Sequence, residues 1–166
     1  MPPDFAALLA TEFRRRLLGE YVPRIRHCAG LLSESQAWQK PAPGGNSLGN
    51  LLLHLEGNVR QWILGEIGGE IDGRDRAAEF AAVATTAPAP IPALLLRLET
   101  TVSRACTLVD GLSEAQLRTR QVFQGRYSET WFSAIVHVLE HFSGHAGQIY
   151  FWTKALTGKD LKFYDL

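Results

Sequence analysis

Apolar residues recur in steps of three and four along four separate stretches of this chain, and that spacing constrains the fold more than any other feature. From Asp4 to about Leu31 the series Phe5, Leu8, Leu9, Phe13, Leu17, Tyr21, Ile25 and Ala29 keeps the step. A helix of 3.6 residues per turn carries such residues on one face, so the spacing predicts a long amphipathic helix. Pro23, which lacks a backbone donor, is expected to bend it. The breakers in KPAPGGNS at 40–47 end that region, and Ser47 is placed to accept a backbone N–H as the cap of a second helix, SLGNLLLHLEGNVRQWILGEI, running to Ile67. Pro92 fits the first turn of a third helix, with Leu94, Leu95, Leu98, Val102 and Leu108 buried and Gly111 stopping it. Ser128 or Thr130 opens a fourth, which ends near Thr157 with Gly158 beyond. GGEIDGRDRAAEFAAVATTAPAP reads as a long crossover between helices 2 and 3, and the polar connection before the last helix as partly extended. The expected fold class is all-α, four helices in one antiparallel bundle.

A chain of 166 residues with 46% hydrophobic content has room for one domain, spanning 1–166, with a single core. Lys+Arg and Asp+Glu both number 17, so no net field draws in a polyanion, and the basic run Arg14-Arg15-Arg16 is short; no nucleic-acid partner is expected. Cys28 and Cys106 have no CxxC partner, which fits buried, reduced thiols in a reducing cytosol. MPPDFAALLATEFRRRLLGEY mixes charge into its apolar residues too early for a signal peptide, and no apolar run approaches membrane-spanning length. A cytoplasmic protein without a membrane partner is the expectation. Neither a Gly-rich phosphate loop nor a dinucleotide fingerprint nor a nucleophile elbow is present, which leaves nucleotide cofactors and serine-hydrolase chemistry without support.

A faint internal repeat accompanies this pattern. Leu32-Ser33-Glu34-Ser35-Gln36 returns as Leu112-Ser113-Glu114-Ala115-Gln116, and Ser47 precedes His54 by the same seven residues that separate Thr130 from His137. Two helical hairpins related by a pseudo-twofold axis would produce it.

The chemistry concentrates in HVLEHFSGHAGQIYFWTK, residues 137 to 154, which holds three of the five histidines. At about 100° per residue, His141 and His145 point the same way roughly 6 Å apart along the axis, so both can bind one ion. A tetrahedral or facial site needs a third donor from another element. His54, set among Leu51, Leu52, Leu53 and Leu55, faces the core, where it is either a satisfied core histidine or that third ligand. His137 competes by spacing with His141, yet it lies roughly 12 Å from His145 along the helix and is crowded by Ile135, Val136, Val138 and Leu139. Small residues, Ser143, Gly144, Ala146 and Gly147, leave room around His145. The repeat maps His54, His141 and His145 onto His137, Asn58 and Trp62, so His137 is left out of the site. Three neutral imidazoles leave coordination positions open for water or substrate, and zinc or nickel suits the ligand set. Glu140 and Glu56 are the nearest carboxylates in sequence, each an orienting group or general base or else a solvated charge. Gln148, one turn after His145, either reaches a metal-bound ligand or is an ordinary surface amide.

In the crossover, Arg74, Asp75, Arg76 and Glu79 alternate in sign. They can pair and pin the loop, leaving Phe80 to dock on the bundle; alternatively Arg74 or Arg76 reaches the mouth of the site to hold an anionic substrate. Trp38, Trp62, Trp131 and Trp152 read as core or interface anchors, with Trp62 and Trp152 possible pocket walls. The aromatic tail DLKFYDL is expected to pack onto the body or a second subunit.

At these residues the sequence resembles the DinB-like metal-binding four-helix bundles, which include the YfiT-type hydrolases and thiol-dependent transferases and isomerases. SLGNLLLHLEGNVRQWI is similar to the family's second helix with its single histidine, and HVLEHFSGHAGQIYF to its last helix with an H-x-x-x-H pair and a following G-Q-I. GRDRAAEF, residues 73 to 80, is similar to the crossover of one subgroup. The resemblance implies an up-down-down-up bundle, a divalent site at His54, His141 and His145, and a homodimer. From these residues the expected activity is a metal-dependent enzyme, a hydrolase or thiol S-transferase, that activates water or a low-molecular-weight thiol against a small electrophilic substrate. Catalytic residues are unassigned, with Gln148 and Glu140 the candidates. The alternative is a dimeric metal- or ligand-binding module without turnover.

Overall fold

The computed structural model describes residues 4–163. Four rods carry it. The first comprises α1 (Phe5–Arg16), a widened π-helical turn (Leu17–Tyr21) and α2 (Val22–Gly30). Asp4 caps α1 by accepting from the Ala7 N–H at 2.8 Å. The disturbance expected at Pro23 takes the form of that widened turn just ahead of it, where the Val22 N–H reaches back five residues to the Leu17 carbonyl. Phe5 and Leu8, expected on the buried face, are exposed; Ala6 and Ala10 join the expected Phe13 in the core.

The second rod joins α3 (Glu34–Ala37) through the breaker-rich loop to α4 (Leu48–Val59), which continues as a π-helical segment (Arg60–Ile67). Ser47 caps α4 in a reciprocal box with Asn50. Every residue of α4 is buried, because two rods and the crossover helix all pack on it. The crossover contains α5 (Arg76–Ala81), capped by Asp75. The third rod is α6 (Ile91–Asp110), followed by α7 (Glu114–Leu117). The repeat has a structural counterpart: α3 and α7 are each a single turn held by a capping box, Ser33 with Gln36 and Ser113 with Gln116.

The all-α expectation needs a correction. Strands β1 (Arg120–Phe123) and β2 (Tyr127–Thr130) form an antiparallel hairpin, with Arg120 opposite Thr130 and Phe123 opposite Tyr127. Its turn uses Gln124 at φ 53° and Gly125 at φ 64°, the left-handed pair that suits the twist of a tight hairpin. Ser128 therefore lies in β2, and Thr130 alone opens the fourth rod, α8 (Trp131–Thr157), which Gly158 ends at φ 66°.

Helix α4 packs against α6 and α8, α1 against α6, and α2 against α8. Phe13, Leu17, Ile25, Leu52, Leu55, Leu98, Ile135 and Ile149 fill the space between them. Leu95 and Leu108 are only partly buried at its edge. Cys28 and Cys106 are buried free thiols within this core. Leu161 is buried and Phe163 packs edge-on against Tyr150, so the described part of the tail lies on the body; Tyr164, Asp165 and Leu166 fall outside the described residues, as do Met1, Pro2 and Pro3. Among the described residues no helix is long and apolar enough to cross a membrane.

Candidate metal centre

The contact of α4 with α8 sets His54 opposite His141 and His145. One ring nitrogen from each lies within 4.8 Å of the other two. His54 Nε2 and His141 Nε2 are 2.9 Å apart, slightly closer than the roughly 3.3 Å between two ligands on a tetrahedral ion with N–metal bonds of about 2.05 Å. The donor set fits a divalent cation of borderline softness.

Outer partners decide which nitrogen His54 and His145 present. Glu79 Oε2 lies 2.9 Å from His54 Nδ1, and Arg74 Nη2 lies 3.0 Å from the same nitrogen. One nitrogen cannot donate to a carboxylate and accept from a guanidinium together. The guanidinium already has better acceptors, since Arg74 donates through Nε to Glu79 Oε1 at 2.7 Å and through Nη2 to Glu79 Oε2 at 2.9 Å. His54 Nδ1–H therefore donates to Glu79, which leaves the Nε2 lone pair facing α8. His145 Nδ1–H donates to Gln148 Oε1 at 3.1 Å, with the same result.

Burial keeps the centre electrically quiet. His54 is 3% exposed, and the side chains of Arg74 and Glu79 are 4% and 10% exposed. Burial alone would raise the Glu79 carboxyl, but hydrogen bonds from Arg74 and His54 hold it below the usual carboxylate range. Desolvation, reinforced by the neighbouring imidazoles, pushes His141 down to about 3. His145 is also lowered, chiefly by burial and against the hydrogen bond to Gln148. Neutral rings are what a cation requires of its ligands.

The crossover that delivers Glu79 is fastened to α4. Asn50, fully buried, donates from Nδ2 to the Glu79 carbonyl at 2.9 Å and the Ala82 carbonyl at 2.8 Å. Phe80 docks its ring 4.6 Å from that of His54. Gly57 provides the clearance, because a Cβ there would stand 2.3 Å from Glu79 Oε1 and 2.8 Å from Arg74 Nε. Gln61 Oε1 accepts from Arg74 Nη1 at 3.0 Å and from Gln124 Nε2 at 2.8 Å, tying the crossover to the hairpin turn.

A cavity of about 630 Å³ opens beside the histidines, with His54, His141, Trp62, Arg76, Tyr127 and His137 in its walls. Trp62 is stacked on Phe123 at 5.1 Å and lies 4.2 Å from the ring of His137. His137 thus stands outside the triad, lowered in basicity by burial and sharing the cavity wall with Trp62 and Asn58, the residues the repeat pairs with it. Arg74 and Arg76 both line the cavity, Arg76 with its guanidinium 5.2 Å above Phe80 and Arg74 bound to Glu79.

Neither carboxylate nearest the histidines in sequence orients one of them. Glu56 is buried but turns away from the histidines, accepting from Arg97 Nη2 at 2.6 Å and Thr101 Oγ1 at 3.0 Å. Glu140 is exposed at the cavity rim and makes no hydrogen bond or ion pair with His54, His141 or His145. Trp152 donates to the Gln39 carbonyl and is not a cavity wall. The carboxylate that does orient a histidine, Glu79, stands 25 residues from His54. Its signal in the sequence was its place in the alternating charges of the crossover.

The family profile of the DinB superfamily matches residues 23–149, a span that contains all three histidines and the whole crossover. The chain belongs to the DinB superfamily. A DinB-like protein from Bacillus cereus ATCC 10987, known from a crystal structure, has a similar fold: the TM-score is 0.64 at 14% sequence identity, covering 87% of this chain and 90% of that one. No curated protein matches the chain. Within this DinB-superfamily fold, the group able to hold a metal comes from α4 and α8, and its outer partners from the crossover and from α8 itself.

Proposed function

We propose that the chain is a metal-dependent enzyme, a hydrolase or thiol S-transferase, whose divalent ion is held by His54, His141 and His145. The observation that carries this reading is the convergence of three imidazoles, ligand atoms within 4.8 Å, two of which, His54 and His141, line a 630 Å³ cavity. A closed, purely structural centre would have no such opening beside it. Zinc or nickel suits the three nitrogen donors. When bound, such an ion lowers the pKa of a water or thiol toward neutrality and polarises an electrophile. Glu79 and Gln148 orient His54 and His145, Trp62 and Tyr127 shield the cavity, and Arg76 offers a guanidinium to a small substrate. The same reading includes an up-down-down-up order of the four rods, a homodimeric and cytoplasmic protein, and no nucleic-acid or membrane partner.

Elemental analysis of the purified protein is expected to find about one zinc or nickel per chain, and His145→Ala to lose it with the helical signal retained. Protein that binds no divalent metal in either form would defeat the proposal. Metal-replete protein is then assayed against small electrophiles with and without a low-molecular-weight thiol. Thiol-dependent turnover selects transferase and thiol-independent turnover selects hydrolase. Stoichiometric metal with neither would leave a binding module.

A further inference from the structure

The Arg74–Glu79 pair is more than a loop fastener. A loop can be fixed by ion pairs left in water, as Arg60 and Asp72 are at 3.5 Å beside it, with a quarter to a third of each side chain exposed. Such pairs are only weakly stabilising, yet they avoid the several kcal/mol that each ion loses on desolvation. Here the chain buries both charges, clears a Cβ from α4 at Gly57 to admit them, and holds the backbone of the carboxylate with a fully buried asparagine. The imidazole these fixtures lead to is His54, whose Nδ1 meets Glu79 Oε2 at 2.9 Å and whose face is covered by Phe80.

We propose that Glu79 is a positioning residue of the metal centre: clamped by Arg74, its carboxylate fixes the Nδ1–H tautomer of His54, so that Nε2 offers its lone pair to a divalent cation. The assignment rests on the metal reading above. It makes the crossover part of the centre, since neither residue of the clamp belongs to the rods that bear the histidines. Arg74 acts at one remove, gripping both carboxylate oxygens of Glu79 through Nε and Nη2.

Two measurements on wild type, Glu79→Gln and Glu79→Ala test it. In metal-free protein, nitrogen-15 NMR of the ring nitrogens is expected to show His54 protonated at Nδ1 in wild type and shifted toward Nε2–H in Glu79→Ala. Cobalt(II) titration, followed by the ligand-field bands, is expected to show affinity about 10–100-fold weaker in Glu79→Ala, with altered bands, and nearer the lower end in Glu79→Gln, which keeps an acceptor oxygen but loses the charge. Because Glu79→Ala strands a buried guanidinium, Glu79→Gln carries the test if the alanine variant does not fold. Wild-type affinity and bands in the folded variants, or an Nε2–H tautomer in wild type, overturn the assignment. Wild type that shows Nδ1–H but takes up no cobalt defeats the metal reading, and the role of Glu79 with it.

Discussion

Gly57→Ala puts two well-known effects in opposition, and the structure decides between them. In an ordinary helix interior, alanine stabilises by about 1 kcal/mol relative to glycine. Here the added Cβ would stand 2.3 Å from Glu79 Oε1, 2.8 Å from Arg74 Nε and 3.2 Å from Glu79 Cδ. Those atoms are not the free ends of solvated chains: the carboxylate is held by His54 and by Nε and Nη2 of Arg74, and its backbone by Asn50. Disrupting a buried pair costs about 3–5 kcal/mol, so the net loss is about 2–4 kcal/mol after the helix gain. For a chain of this length each kcal/mol moves the unfolding midpoint by about 2–4 °C, which gives a fall of roughly 4–16 °C. Calorimetry of the metal-free protein measures it, and limited proteolysis is expected to find new cleavage within residues 73–82. A variant as stable as wild type or more so, with the crossover equally protected, would refute the reasoning.

Acid is expected to weaken the metal-free fold before the carboxylates titrate. His141 stays neutral in the folded chain down to about 3, and His145 and His137 are lowered too, whereas the unfolded chain protonates these rings below about pH 6.5. The unfolded state then binds more protons, so stability falls as pH falls from about 6.5 toward the folded values. The urea midpoint should be lower at about pH 5 than at about pH 7.5, and an unchanged or higher midpoint contradicts the burial of neutral imidazoles. The thiols give a separate check on the core: burial pushes Cys106 up to about 11 and raises Cys28 as well. A disulfide-exchange reagent should leave both unmodified in the native protein and label two thiols on unfolding; rapid native labelling would show that the core between the rods is open.

Much of the frame was legible from residue spacing, because caps and breakers act over three or four residues. Asp4, Ser47, Thr130 and Gly158 end helices where the sequence places them, and the apolar steps locate the rods. The convergence of His54 with His141 and His145 followed from asking which core-facing histidine could complete a pair one turn apart. What escaped was set by contacts distant in sequence or by alternatives of nearly equal energy. Local pattern does not distinguish an i→i−4 ladder from the widened turns at Leu17–Tyr21 and Arg60–Ile67. Phe5 and Leu8 keep the helical step yet face outward, since periodicity locates a stripe but not its edges. The hairpin at Arg120–Thr130 is short, and its turn pair is Gln-Gly where Asn-Gly is the stronger signal. Proximity along the chain offered only Glu56 and Glu140 as carboxylates near the histidines, whereas folding of the crossover supplies Glu79.

The position of Trp62 has a consequence for the symmetry of the molecule. The repeat would place a mirror counterpart of the triad around His137, and the ring that answers to His145 there is an indole, wedged between His137 and Phe123. Where one half gathers three imidazoles able to hold an ion, the other stacks an indole on the hairpin. Anything entering the cavity therefore meets the imidazoles of His54 and His141 on one side and an aromatic buttress on the other.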